Sequence, residues 1–420
     1  MKPVDVHVAI PSMGEAEWLP RTIGNLLSEP SSEGVIAWVC VNQPDAWWAD
    51  REKQDVCSNN RQTLAYLHGL GLHNLRVIDR SSPGKGWTGK HAGVGQARKV
   101  LMDEISRAAA PGDIILSLDA DTLFDKGYLS SVVKCFERYP HAVALSNPYC
   151  HKLTGEEALD RAMLRYEIYM RYYAINMWRI GSPYSFTALG SAIALPVETY
   201  RMVGGIAPKK SGEDFYFLQK LRKAGWICNY NDHKVYPGTR YSDRVFFGTG
   251  PALIKGSKGD WQSYPLYDHK LFDQVKETID MFPLLYEKTV ETPMSGFLLQ
   301  QFREEDSFES LRQNVASGSQ FIKACHQKVD GLRVLQFLKW KTKETGIADE
   351  ANLIRFLNSV LPDAVIGYDD QNGYLHHGFS RTEKGQPVSI DFSAAPIWLL
   401  DKVRRLLMDI ESEYQRDDLP

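Results

Sequence analysis

The chain has 420 residues, of which 43% are hydrophobic and 24% are charged, and its formal net charge is −3 at pH 7. This length exceeds that of one ordinary domain, so two domains are expected. The near-neutral charge excludes a general electrostatic attraction to nucleic acid or to anionic membranes. The six cysteines show no Cys-x-x-Cys spacing, which argues against a zinc cage or a disulfide framework and favours a reducing, cytoplasmic compartment.

Apolar segments that read as strands alternate with helical segments as far as Asp232. The predicted strands are Val4 to Ile10, Val35 to Val41, Leu75 to Ile78, Ile114 to Leu118 and Ala142 to Ser146. The predicted helices are Ala16 to Ser28, Lys53 to Leu67, Ala92 to Ala109 and Gly127 to Tyr139. This order is typical of an α/β fold with a mostly parallel sheet flanked by helices, which leaves a crevice for a ligand at the carboxyl ends of the strands.

The alternation stops after Asp232, and from Tyr267 onward the sequence is mainly helical. The clearest helical stretches are Lys323 to Lys341 and Ala394 to Glu413, and a short polar stretch near Gly367 to Ile390 has β character. We therefore predict an α/β domain over residues 1–255 and a mainly helical region over residues 256–420.

Two stretches bear on membrane contact. The uncharged stretch from Ile180 to Val197 contains prolines and glycines, so we interpret it as loop and buried strand rather than as a membrane span. The amino terminus lacks the pattern of a secretory signal. The aromatic-rich stretch from Tyr166 to Trp178 leaves two interpretations open, a helix packed between domains, which we favour, and peripheral attachment at the inner membrane face.

The strongest chemical signal is Asp119-Ala120-Asp121, which directly follows the apolar run that ends at Leu118. A strand there would deliver both carboxylates to the ligand-binding edge of the sheet, where Mg²⁺ or Mn²⁺ is usually held by one or two carboxylates and substrate phosphates. The alternative is a solvated turn, since Asp favours strand ends.

A second acidic pair, Glu213 and Asp214, follows Ser211-Gly212 and precedes apolar residues at helical spacing, with Gly225 at the end. This pattern predicts a helix whose first turn carries both acids. Taken alone, the two acids could simply stabilise the helix start.

With both motifs present, the chain resembles a family 2 glycosyltransferase of the GT-A fold, over roughly the predicted α/β domain. The resemblance implies that Asp119 and Asp121 hold a divalent metal, Mn²⁺ or Mg²⁺, and that Asp119, Ala120 and Asp121 contact a nucleoside-diphosphate sugar. It also implies that Asp214 is the catalytic base, that Glu213 orients the acceptor, and that the reaction inverts the anomeric centre.

The resemblance extends to other predicted donor-binding residues. Pro11, Ser12, Gly14 and Glu15 match the first strand and turn of the family. In the glycine-rich segment from Ser81 to Gly95, Lys85, Gly86 and Lys90 are predicted to contact the donor, because glycine amides and a helix start favour an anion. A solvated loop is the alternative, and the order of residues is not that of a P-loop.

Three further predictions concern the base, the metal and the diphosphate. Where the family has an Asp that recognises the nucleobase, this chain has Asn42, so uridine is the default base and guanosine stays open. His233 is a candidate third metal ligand. Arg240 and Arg244 are candidates for pairing with the diphosphate, with surface solvation as the alternative.

The expected function is therefore transfer of a hexosyl group from a nucleoside-diphosphate sugar to a glycan, lipid-linked or small-molecule acceptor, without nucleic acid. One alternative is a nucleotidyltransferase that forms the sugar nucleotide, although the loop from Pro11 to Glu17 is acidic rather than glycine-rich with arginine. The other alternative is a non-catalytic protein that binds nucleotide sugars.

Overall fold

The computed structural model describes residues 4–29, 34–89, 92–209, 211–244, 248–342, 347–361, 365–369, 374–378 and 391–420. The chain divides into two compact units. Unit 1 comprises Met1–Met163, Phe186–Gly259 and Asp418–Pro420, and unit 2 comprises Leu164–Ser185 and Asp260–Asp417. The predicted domains, 1–255 and 256–420, stay a prediction.

Unit 1 contains a seven-stranded sheet with the order β3-β2-β1-β4-β7-β6-β8. Its strands are β1 (Val6–Ser12), β2 (Val35–Asn42), β3 (Leu75–Arg80), β4 (Ile114–Ser117), β6 (Ala142–Ser146), β7 (Ile193–Pro196) and β8 (Trp226–Cys228). Neighbouring strands are parallel except that β7 runs antiparallel to β4 and β6. A separate antiparallel pair joins β5 (Leu123–Phe124) to β9 (Val235–Tyr236).

The apolar runs of β1 and β4 in the middle of the sheet are buried, whereas β3 at its edge is only partly buried. All residues of β1 and β4 are buried, as expected for strands covered on both faces. The stretch from Ile180 to Val197 supplies β7, whose Ile193 is fully buried, so its interpretation as a buried strand is confirmed. The first strand begins at Val6 rather than at Val4 and continues to Ser12.

Helices flank this sheet, and three of them matter for the site. α3 packs against β1 and β2, α2 packs against β2 and β3, and α7 packs against β6 and β8. The helices as far as Gly256 are α1 (Leu19–Leu27), α2 (Gln54–Gly69), α3 (Val94–Ala108), α4 (Tyr128–Arg138), α5 (Glu157–Arg179), α6 (Val197–Met202), α7 (Glu213–Ala224) and α8 (Thr249–Gly256). The predicted α/β class with a mostly parallel sheet is confirmed.

Unit 2 is mainly helical, which confirms the prediction for the carboxy-terminal part. Its further helices are α9 (His269–Asp280), α10 (Phe282–Glu287), α11 (Ser295–Phe302), α12 (Glu309–Asn314), α13 (Gly318–Lys328), α14 (Gly331–Thr342), α15 (Asp349–Val360) and α16 (Ile397–Asp417). An antiparallel hairpin joins β10 (Val365–Asp369) to β11 (Tyr374–Gly378). The predicted helix Lys323 to Lys341 is in fact two helices, and residues 379–390 of the predicted β stretch lie outside the described residues.

Buried charges join α5 to α16 inside unit 2. The Arg171 guanidinium lies 2.6 Å from Glu167 and also pairs with Glu411, and all three side chains are at most 4% exposed. The aromatic face of α5 is packed in the same unit, where the Tyr172 ring lies 4.8 Å from that of Phe356. Within the described residues, no helix combines the length and the apolarity that crossing a bilayer requires.

We predict that Gly225→Ala destabilises the fold, because its Cβ would lie 2.3 Å from Val143 Cγ1 at the point where α7 meets the sheet. Overpacking of this kind costs about 1–3 kcal/mol. Gly24→Ala in α1 is the control, since nothing lies within 4 Å of its Cβ, and alanine should stabilise this helix by about 0.5–1 kcal/mol.

The measurement is urea unfolding followed by circular dichroism. Adding Val143→Ala to Gly225→Ala should recover part of the loss, because the smaller side chain removes the clash. Strictly additive losses in the double variant would contradict this account.

Candidate functional site

The first cluster of the candidate site centres on Arg98, which lies in α3. Its Nη2 donates to Asp119 Oδ1 at 2.9 Å, and its Nε donates to Glu213 Oε1 at 3.3 Å. Asp119 comes two residues after β4, and Glu213 is the first residue of α7. One guanidinium therefore brings together the two acidic motifs that the sequence places almost a hundred residues apart.

Arg98 is firmly held in the interior. Its side chain is only 2% exposed, and its Nη1 donates to Ser117 Oγ and, at 2.9 Å, to the carbonyl oxygen of Gly190. A Cβ on Gly190 would lie 2.4 Å from Arg98 Nη2, so only glycine admits the guanidinium here. Burial lowers the pKa of Arg98, but the carboxylates of Asp119 and Glu213 outweigh it, and the net pKa is above its ordinary value.

Asp214 differs from its neighbour Glu213. Glu213 is 4% exposed, and its carboxylate accepts from Arg98. A residue that binds an acceptor directly would be more exposed than this. Asp214 is partly exposed and accepts 2.7 Å from the amide of Phe215. Desolvation, together with the charge of Glu213, raises the pKa of Asp214 to about 7, against a smaller lowering by Arg98. A carboxyl with this pKa can exchange a proton near neutral pH.

A second cluster, which we call the Glu15 cluster, consists of Glu15, Asp121, Arg240 and Arg244. The Arg240 guanidinium donates to Asp121 Oδ2 from Nε at 2.9 Å and from Nη2 at 2.6 Å, and its Nη2 lies 2.5 Å from Glu15 Oε1. Arg244 Nη1 pairs with the same Glu15 oxygen and donates to Met13 O at 2.6 Å. The structure thus brings four predicted donor-site residues together.

The backbone around the Glu15 cluster is closely fitted. A Cβ on Gly238 would lie 2.8 Å from Asp121 Oδ2, so the chain there approaches the carboxylate as only glycine can. The Arg240 guanidinium also lies over the Trp18 ring, 5.2 Å from its centroid. Burial raises the pKa of Glu15, whereas Arg244 lowers it.

Of the other predicted donor-site residues near these two clusters, Pro11, Ser12 and Ala120 are buried and Gly14 is partly buried. Pro11 pairs with Cys40 inside the sheet, and the Ser12 hydroxyl is buried without a partner among the described residues. The amide of Gly14, at φ +69°, donates 2.8 Å to Asn60. The carbonyl oxygen of Ala120 accepts 2.8 Å from the hydroxyl of Thr22, so Ala120 supports the turn between the two aspartates.

The glycine-rich segment is held by acids of the protein, and its predicted contact with the donor stays a prediction. The amides of Gly84 and Gly86 donate to Asp45 Oδ1 at 2.8 and 3.3 Å. Lys85 lies 3.1 Å from Asp79, and hydrogen bonds from the serines that follow and from Lys85 outweigh desolvation and hold the pKa of Asp79 well below its usual range. Lys90 lies outside the described residues.

Asn42 is also engaged. It is 2% exposed, its Nδ2 donates 2.9 Å to Ser12 O, and its Oδ1 accepts 3.0 Å from the indole of Trp87. The amide therefore fixes the loop that carries Trp87 against the end of β1. Each of these two atoms keeps one further hydrogen-bonding position, so the predicted contact of Asn42 with a nucleobase stays a prediction.

The structure places His233 beside Gly127, and its prediction as a metal ligand stays a prediction. Its Nε2 is the nearest atom to a Cβ built on Gly127, at 3.2 Å. β5 and β9 are antiparallel, so Gly238, which follows β9, lies beside Asp121, which precedes β5. His233 precedes β9 and therefore lies near Gly127, which follows β5. The sequence spacing from the acidic helix gave no information about this register.

Among the described residues, no group of three or more His, Cys, Asp or Glu side chains is gathered to hold a metal ion. The Asp-x-Asp pair still offers carboxylate oxygens at the sheet edge, and Glu15 Oε2 is a buried carboxylate oxygen without a partner in the described part of the chain. Carboxylates completed by phosphate oxygens are the usual ligands of Mg²⁺. The donor set thus fits a divalent cation that is shared with a phosphate ligand.

Arg98 is the important residue that the sequence predictions missed. A signal for it was present, since Arg98 falls on the same face of the predicted helix as Leu101, Met102 and Ile105. A charge on the apolar face of an amphipathic helix requires a buried partner of opposite sign. Gly238 was also missed, and only the folded structure shows its contact with Asp121.

No protein-family model matches the sequence, and no curated protein matches it. Among solved structures, S. aureus TarS 1–349 in complex with UDP-GlcNAc is similar at 14% identity and a TM-score of 0.40, covering 92% of this chain and 99% of that chain. The mannosyltransferase PcManGT from Pyrobaculum calidifontis, in complex with GDP-Man and Mn²⁺, is similar at 13% identity and a TM-score of 0.35, covering 99% and 88%. Values this low assign neither activity nor ligand to this chain.

We predict that Arg98→Met destabilises the protein by about 3–5 kcal/mol, because it leaves the buried Glu213 without its cation. Arg107→Met is the matched control in the same helix, since Arg107 is 67% exposed and its pair with Glu104 is worth at most about 1 kcal/mol. Urea unfolding measures both. Equal losses for the two variants would show that Arg98 is not the central cation of the cluster.

Proposed function

We propose that this chain is a nucleotide-sugar-dependent, inverting glycosyltransferase of the GT-A, family 2 type that moves a hexosyl group to an acceptor hydroxyl. The observation that carries the proposal is the pairing of Asp119 and Glu213 on Arg98. Asp214, a partly exposed carboxyl with a pKa of about 7, lies within the electrostatic reach of Asp119, which follows a strand of a mostly parallel sheet at the edge where ligands usually bind.

The reaction needs a proton acceptor for the attacking hydroxyl. The hydroxyl oxygen forms a bond to the anomeric carbon as the bond from that carbon to the diphosphate oxygen breaks, and the hydroxyl proton passes to Asp214. Among the acids of the first cluster, Asp214 suits this role best, because Asp119 and Glu213 are paired with Arg98. Attack from the face opposite the diphosphate inverts the anomeric centre.

The reaction also needs charge stabilisation on the departing diphosphate. Arg240 and Arg244 are partly exposed, at 20% and 29% of their side chains, and guanidinium groups pair well with phosphate oxygens. A divalent cation held by carboxylates of the Glu15 cluster would supply Lewis-acid stabilisation of the same leaving group. Arg98 is buried and acts as a positioning residue.

Asp214→Asn should lower the transfer rate by roughly 10²–10⁴-fold, which is the usual contribution of a general base, while nucleoside diphosphate binding is kept. The wild-type rate should rise with pH through about 7, since Asp214 must be ionised to accept a proton. The measurement is sugar transfer at saturating donor between pH 5.5 and 9, with calorimetry for binding. Asp55→Asn, an exposed acid at the start of α2, is the control. Wild-type turnover by Asp214→Asn would refute the assignment.

Asp121→Asn should remove the dependence of donor binding on the metal, because it deletes a carboxylate charge at the sheet edge without changing side-chain size. We expect Mn²⁺ to strengthen binding of UDP or GDP to the wild type by roughly tenfold or more, and to have almost no effect on the variant. Calorimetric titrations with and without Mn²⁺ make the comparison. An undiminished effect of Mn²⁺ in the variant would exclude Asp121 from the site.

A direct assay separates transfer from the alternative of nucleotide-sugar synthesis. The full chain is incubated with a panel of UDP- and GDP-sugars and hydroxyl acceptors, and release of the nucleoside diphosphate is followed. A parallel incubation contains a sugar phosphate and a nucleoside triphosphate. Release of pyrophosphate in the second incubation, without transfer in the first, would overturn the proposed function.

A further inference from the structure

The Glu15 cluster is balanced in charge without any ligand. Two carboxylates, Glu15 and Asp121, face two guanidiniums, Arg240 and Arg244, at hydrogen-bond distance. Glu15 is 5% exposed at its side chain and Asp121 is 15% exposed, so these charges interact with little screening by water. Each guanidinium therefore competes directly with any cation that these carboxylates bind.

One buried atom in the cluster points to a ligand. Glu15 Oε1 accepts from both arginines, whereas Glu15 Oε2 is buried and has no hydrogen-bond partner in the described part of the chain. A buried carboxylate oxygen left unsatisfied is costly, so it commonly marks the place of an ion or a ligand. This observation is independent of the acidic composition of the cluster.

The two aspartates of Asp119-Ala120-Asp121 belong to different clusters. Asp119 binds Arg98, whose side chain is 2% exposed. Arg98 is also held by hydrogen bonds to Glu213, Ser117 and Gly190. Asp121 binds Arg240, which comes from a loop and is partly exposed. Only the second pair can exchange partners without disturbing the interior.

We propose that the Glu15 cluster is an exchange site, in which a divalent cation takes the carboxylates of Glu15 and Asp121 and releases Arg240 and Arg244 to pair with a diphosphate. This inference rests on the proposed function for the identity of the anion. It assigns Glu15, rather than Asp119, as the second carboxylate of the cation site. It also gives both arginines two alternative partners, carboxylate or phosphate.

Charge balance makes the two ligands interdependent. A divalent cation alone adds two positive charges to a neutral cluster and leaves two guanidiniums unpaired, which is unfavourable at this degree of burial. A diphosphate supplies the missing negative charge. The cation should therefore bind weakly alone and much more tightly with the nucleotide, and by thermodynamic linkage each ligand should strengthen the other by the same factor.

The test measures Mn²⁺ binding by electron paramagnetic resonance and UDP or GDP binding by calorimetry, each ligand alone and with the other. Glu15→Gln should weaken Mn²⁺ binding by roughly tenfold or more, because the variant loses one carboxylate ligand. Arg240→Gln should strengthen binding of Mn²⁺ alone by roughly tenfold, because a competing cation is gone, and should weaken binding of the nucleotide alone by a similar factor.

The opposite signs in Arg240→Gln separate exchange from simple damage, since a misfolded site would lose both ligands. Arg21→Gln is the matched control, because Arg21 also lies over the Trp18 ring, at 5.1 Å, but is exposed and outside the cluster. It should change neither affinity. A second comparison is Asp119→Asn, which should weaken Mn²⁺ binding less than Glu15→Gln does.

Two results would overturn the inference: weaker Mn²⁺ binding by Arg240→Gln, or a larger loss of Mn²⁺ binding in Asp119→Asn than in Glu15→Gln. Neither result depends on sugar transfer. If the protein shows the predicted exchange but transfers no sugar from any donor, the proposed function fails and the exchange site stands. If transfer occurs and Mn²⁺ binding is indifferent to Glu15, the exchange site alone fails.

Discussion

The buried guanidinium of Arg98 is the contact on which the organisation of the site depends. It reaches from α3 to Asp119, two residues after β4, and to the first residue of α7, and it is itself fixed by a serine and a carbonyl oxygen. A buried cation is tolerated only with compensating carboxylates, and these carboxylates are tolerated only with the cation. This mutual requirement ties three separate segments of unit 1 to one point.

Two consequences for chemistry follow from this arrangement. Asp119 and Glu213 are paired with Arg98, whereas Asp214 is partly exposed and its pKa is raised by desolvation and by the charge of Glu213. Because Asp119 is committed to Arg98, Asp121 is free to pair with residues from the loop that follows β9. The proposed base and the proposed diphosphate site are therefore built on separate ion clusters, so that a change of charge in one does not have to disturb the other.

The edge of the sheet near β2 and β3 is organised by hydrogen bonds together with the ion pair of Lys85 and Asp79. Asp45 and Asp79 hold the segment around Gly84 and Gly86, and Asn42 holds Trp87. Glycine is required at position 86 because a Cβ would lie 2.6 Å from the backbone of Asp45. The glycines thus allow the loop to pack closely against Asp45. The segment lies beside the carboxyl ends of β1 and β2.

Much of the fold could be read from the sequence, because buried parallel strands are continuous apolar runs and amphipathic helices have a fixed period. The strand Ala142–Ser146 was predicted with its exact limits. The break between α13 and α14 was not predicted, although Asp330-Gly331 marks it in the sequence. The acidic motifs of the site could be identified from the sequence. Asp119 and Asp121 stand just after an apolar run that predicts a strand, and Glu213 and Asp214 stand at the start of a run that predicts a helix.

The α/β order of strands and helices and the acids at their ends follow from the order of residues, since they depend on local periodicity and on short spacings. Which acid meets which cation is known from the fold alone: Arg98 joins Asp119 to Glu213, Arg240 and Arg244 meet Glu15, and His233 lies beside Gly127. The physical reason is that ion pairing depends on distance in space. Strand order, ladder register and the close approach allowed by glycines such as Gly190 and Gly238 set those distances, and none of them is encoded in neighbouring residues.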